Sequence, residues 1–103
     1  MDLCRLVVKN IDWEVAVKFE REPLSYEVEG ESARQTDAER FVFNERVVVN
    51  AWNHIRARAL VTRALERRYG PLLKYVEFCN THEYEGKQPV SQSNYLPFPL
   101  ARH

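Results

Sequence analysis

The feature that most constrains this chain is a run of helix formers that ends in a well-marked stop. From Ala51 onward alanine and arginine dominate, and both favour helix. Arg67 and Arg68 stand where the last turn should be, and cations there complement the helix dipole. Gly70 suits the left-handed position just past a helix, and Pro71 forbids continuation. Val48, Ala51, Ile55, Ala59, Thr62, Leu65 and Tyr69 recur at three- and four-residue steps, which predicts a single buried stripe. A helix with one apolar stripe needs a second layer to cover it.

The first third of the chain supplies that layer as β-structure. Trp13, Val15, Val17 and Phe19 alternate with Glu14, Ala16, Lys18 and Glu20, the period of a strand with one buried face. Leu3 to Lys9 is an apolar, β-branched run joined to it through Asn10-Ile11-Asp12, read as a turn. Leu24, Tyr26 and Val28 alternate with Ser25, Glu27 and Glu29 up to Gly30, which predicts a third strand and a solvated, acid-rich sheet face. Residues 31–36 read as a loop.

The next stretch supports two readings. Arg40 to Phe43 and Val47 to Val49 have strand propensity. Asn44 is a credible N-cap with Glu45 at the positive end of the dipole, and Thr36 with Glu39 could form a capping box that starts a helix at residue 37. The favoured assignment is a strand over 39–43 and a helix from about 45. Leu72 to Cys79 reads as a final, largely buried strand. The expected fold is therefore α+β, an antiparallel sheet of four to five strands with one long helix across one face. Residues 1–87 form the domain, and 88–103, with Pro89, Pro97 and Pro99, form an extended or disordered tail.

Composition narrows the setting. With 45% apolar and 29% charged residues the chain resembles an ordinary globular domain, so wholesale disorder is not expected. Its two cysteines, Cys4 and Cys79, are far apart and each sits in an apolar run, so buried free thiols and a reducing, cytoplasmic compartment are expected. There is no signal-peptide pattern and no run of about 20 apolar residues that would span a membrane. Net charge is zero but polarised. Residues 1–45 hold eleven acids against six bases, a balance of −5, and 46–103 hold nine bases against four acids, a balance of +5. Attraction between the halves, within one copy or between two, explains this more simply than a nucleic-acid footprint.

Three constellations bear on chemistry. At 100° per residue Arg56, Arg63 and Arg67 align within about 40° on one helix face, with Asn53 and Trp52 flanking them. Aligned guanidiniums bind carboxylates or phosphates bidentately, and an exposed tryptophan can stack a base. The plain alternative is a solvated face with arginine stems lying on apolar surface. Cys79 and His82, with Glu83 and Glu85 nearby, have zinc-ligand chemistry but too few partners for a structural site. The same pair as nucleophile and base lacks an accompanying signature, His54 reads as packed beside the core stripe, and three scattered glycines exclude a glycine-rich phosphate loop. Tyr95, Leu96 and Phe98 suit an extended segment docked in an apolar groove, on this chain, a second copy or another partner.

No catalytic residue, metal or cofactor is therefore assigned. The expected function is a non-catalytic interaction or regulatory module, a small adaptor or inhibitor, homodimeric in one version. Its contact surfaces are the acidic strand face, the helix stripe (Trp52, Asn53, Arg56, Arg63, Arg67) and the tail (Tyr95, Leu96, Phe98). A nucleic-acid-binding accessory protein using the same arginines is the alternative, and a small enzyme or ligand-binding domain with a cavity between sheet and helix comes third.

Overall fold

The structure, a computed structural model, describes residues 9–25, 41–86 and 91–101. Strand β1 (Ile11–Arg21) and strand β2 (Phe41–Ala51) pair antiparallel along their full length, from Ile11 opposite Ala51 to Arg21 opposite Phe41. Helix α1 (His54–Tyr69) follows, a 3-10 turn over Gly70–Leu72 reverses the chain, and β3 (Leu73–Glu83) returns along the other side of β1. Two short strands, β4 (Ser91–Gln92) and β5 (Pro99–Leu100), complete a sheet of order β3-β1-β2-β5-β4. The architecture is α+β, one helix packed on a five-stranded antiparallel sheet.

Alternation along β1 decides which face the helix covers. Val15, Val17 and Phe19 point to α1 and are fully buried, joined there by Val47, Val49 and Ala51 of β2. The helix contributes Ala57, Val61, Leu65 and Tyr69, a ladder of every fourth residue that drifts slowly around the axis. Burying such side chains supplies on the order of 1.5–3 kcal/mol each for the larger ones, enough to make this the dominant core. Phe19 stacks between Phe43 and Tyr69, at ring-centre distances of 5.1 and 5.9 Å.

Several expectations give way here. The helix begins at His54, not near residue 45, because Val47 and Val49 face Val15 and Trp13 across the sheet and a helix would withdraw them from the core. Asn53 is the cap that operates: its side-chain oxygen accepts the Arg56 backbone N–H at 2.7 Å. Ile55 and Ala59, expected in the buried stripe, are exposed. Ile11 and Asp12 belong to β1 rather than to a turn. Glu14 and Glu20 are buried on the sheet face away from α1, so that acid-rich face is not simply solvated. The expected strands at Leu3–Lys9 and Leu24–Glu29, the loop over 31–36 and the Thr36–Glu39 capping box fall almost wholly outside the described residues.

The stop at the other end of α1 matches its sequence signals. Gly70 adopts φ 52°, the conformation L side chains avoid, and its N–H donates to the Glu66 carbonyl. β3 is longer than expected and, being an edge strand, is exposed along much of its length rather than largely buried.

Residues 91–101 fold back onto the sheet. Leu100 of β5 pairs with Val47, the Ala101 N–H donates to the Arg46 carbonyl, and Leu96 sits in the core, 1% exposed. The Ser93 hydroxyl organises the turn: it accepts the Tyr95 and Leu96 N–H groups and donates to the Glu45 carboxylate at 2.6 Å. Tyr95 packs on Phe43 at 4.5 Å.

Candidate interaction face

The residues singled out by sequence divide into two sets. Tyr95, Leu96 and Phe98 are occupied within the chain. Leu96 is core, the Tyr95 carbonyl accepts from the Tyr69 hydroxyl, and the Phe98 carbonyl accepts the Ser93 N–H. Trp52, Asn53 and Arg56 lie at the start of α1, and Arg63 and Arg67 follow along its outer side, Arg67 about 17 Å along the axis from Arg56. Of these, Asn53 is committed to capping.

The outer side of α1 carries a run of cations. On the helix wheel Arg56, Arg63 and Arg67 lie about 160° from the mean direction of the buried ladder. Helix α1 carries five arginines, Arg56, Arg58, Arg63, Arg67 and Arg68, against one acid, Glu66. Two of the five are turned to the fold: Arg58 donates to the Thr81 hydroxyl at 2.9 Å, and Arg68 donates to the Asn94 carbonyl at 2.8 Å. Among the described residues Arg56, Arg63 and Arg67 have no carboxylate within ion-pair reach.

Apolar groups border these cations. Trp52 is 50% exposed, with the Arg56 guanidinium 5.0 Å from its ring centre. That distance is within cation–π range, and half of the Trp52 surface stays open to solvent. Ile55 is 66% exposed and, with Ala59, forms a strip alongside the arginines. Its spacing predicts a core position for Ile55, and the Asn53 cap, which ends the strand before the helix begins, is the signal that places it outside. His54 is not mid-helix but its first residue, exposed, with its ring 6.0 Å from Trp13.

The far face of the sheet is organised differently. Glu14, 3% exposed, accepts from Arg46 at 3.0 Å and lies 3.5 Å from the His82 ring nitrogen. Asp12 accepts from the Asn50 side chain at 2.8 Å. Asp12 and Glu14 are thus engaged with neighbours in the same sheet. Cys79 is exposed rather than buried, because it falls at a register shift opposite Ala16 and Val17 on the edge strand. It lines an open depression of about 400 Å³ with Ala16, Val17, Asn44, Glu45 and Arg46. His82 turns to Glu14, and among the described residues no group of three or more His, Cys, Asp or Glu side chains is placed to hold a metal ion.

No family model matches the chain, and no curated protein or solved structure matches it either. Among the described residues no helix is long and apolar enough to cross a membrane.

Proposed function

We propose that this chain is a non-catalytic protein-interaction module that captures an acidic partner on the outer face of α1. The observation that carries this reading is that three arginines with no ion pair among the described residues share one helix face, which two exposed apolar anchors, Trp52 and Ile55, adjoin at its start. Tryptophan and arginine are the residue types that dominate binding energy at protein interfaces. An exposed isoleucine beside them gives a partner apolar surface to cover, and the cations select carboxylates at its margin. The exposed Cys79 thiol supports a reducing, cytoplasmic setting for such a module.

A nucleic-acid-binding role is the second reading, favoured by the same three guanidiniums and by an indole free to stack a base. Two features rank it lower. Net charge is zero, which gives little long-range attraction to a polyanion, and Ile55 has no counterpart on a phosphate backbone.

Affinity purification of the full chain from cells of its own source, with nuclease-treated and untreated arms, separates the two. A protein that co-purifies in both arms, and is lost with Trp52→Ala/Ile55→Ala, is the expected result. Complete loss on nuclease treatment, together with RNA or DNA retardation by the pure chain, would replace this reading with the second.

A further inference from the structure

The eleven-residue strand β3 forms one edge of the sheet, and among the described residues no strand pairs with it on the side away from β1. A long open edge is a template for another strand. Most proteins blunt such edges with charges and bulges, and β3 carries both: Lys74, Glu77 and Glu83, and register shifts at Cys79 and Lys74. What those devices exclude, and what they admit, can be worked out residue by residue.

Pairing with β1 fixes the side to which each β3 residue belongs. Val76, Phe78 and Thr81 lie opposite Phe19, Val17 and Val15 and so share the helix side. Tyr75, Glu77, Asn80 and His82 lie opposite Glu20, Lys18, Ala16 and Glu14 and share the far side. Cys79 is the extra residue between the two runs, so the alternation before it and after it is out of phase by one.

We propose that β3 pairs antiparallel with β3 of a second copy, about a two-fold axis between Phe78 and Cys79. In that register Val76 meets Thr81 on the helix side, while Tyr75 meets His82 and Glu77 meets Asn80 on the far side. Lys74 stands opposite Glu83 at both ends, an opposite-charge pair made twice by the symmetry. The phase change at Cys79 is what makes this possible. In a strand without a bulge, a two-fold axis between adjacent residues would set helix-side residues against far-side ones. Half-exposed Tyr75 gains a cross-strand neighbour, and β3 loses its open edge. Because the faces of Val76 and Thr81, of Tyr75 and His82, and of Glu77 and Asn80 match, both helices lie on the same side of a continuous sheet. The surface joined is narrow, so the dimer is a reversible one with a dissociation constant on the order of micromolar.

Sedimentation equilibrium of the full chain tests this, with charge swaps at the exposed ends. Wild type should show a monomer–dimer equilibrium. Lys74→Glu or Glu83→Lys alone places like charges together twice and should weaken it by about tenfold. The double variant K74E/E83K should restore it. In a Cys4→Ser background a short bis-maleimide, which adds one thiol at each end, should link two chains through Cys79, since the two thiols flank the axis. A chain that stays monomeric to about 100 µM, far above the expected micromolar range, would overturn the proposal. So would a dimer that both single swaps leave intact and Cys79 does not link. These variants leave α1 untouched, so loss of the dimer and loss of the acidic partner are separable results.

Discussion

Arginine occupies two opposite environments in this fold, and the contrast between them separates what builds the molecule from what it offers to others. Arg21, at the end of β1, is 2% exposed, and its guanidinium lies 4.7 Å from the Phe43 ring centre and 4.8 Å from that of Tyr69. Phe41 stands 5.7 Å away, and the Glu22 carbonyl accepts from Arg21. Arg56, Arg63 and Arg67 on α1 meet solvent, Trp52 and no carboxylate among the described residues. A delocalised, weakly hydrated cation can be enclosed by aromatic rings where a lysine ammonium would not be. The same side chain on the outer helix face directs its hydrogen-bonding capacity to solvent. Environment, not residue type, assigns the role.

Variants that exchange or abolish this contrast should rank clearly. Arg21→Ala removes three ring contacts and leaves a hole in the aromatic cluster, and should destabilise the fold by about 4 kcal/mol in urea denaturation. A change below about 1 kcal/mol would mean that the enclosed guanidinium contributes little. Leu96→Ala comes next, at about 3 kcal/mol, because the tail's leucine is part of the core. A tail that merely lay on the surface would yield almost nothing in the same titration. Asn53→Ala should lower stability by about 1 kcal/mol through loss of the helix cap, with Asn53→Asp retaining most of it. Smallest is the triple variant Arg56→Gln/Arg63→Gln/Arg67→Gln, expected to shift unfolding by less than about 1 kcal/mol, chiefly through the lost charge of Arg67 near the helix C-terminus.

Parts of this arrangement were legible from residues close together in the chain. The alternation from Trp13 to Phe19 marked β1 and its buried face, and Arg67-Arg68-Tyr69-Gly70-Pro71 marked the end of α1. Counting 100° per residue also placed Arg56, Arg63 and Arg67 on one outer face, since helical position follows from sequence number alone. The start of α1 was not legible in the same way. Val47 to Val49 suit a strand, Asn44 suits a cap, and only the long-range pairing with β1 decides between them. Extending the stripe through Val48 and Ala51 put Ile55 in the core and hid the apolar anchor of the candidate site.

The enclosure of Arg21 was invisible because Phe41, Phe43 and Tyr69 converge on it from two other elements. Cys79 misled for a related reason. Its neighbours Leu72 to Phe78 read as a buried strand, but an edge position and a bulge turn the thiol outward. Local pattern predicts which elements form; what each face meets depends on partners distant in sequence.

The outer face of α1 as the partner-binding surface is tested most directly by one pair of dissociation constants. The protein that co-purifies with the wild-type chain is titrated against wild type and against the triple glutamine variant, after both are shown to be folded. Retained stability with affinity reduced by about a hundredfold, or roughly 3 kcal/mol, is the expected result. Equal affinity for the two chains would contradict it and move the binding surface elsewhere on the molecule.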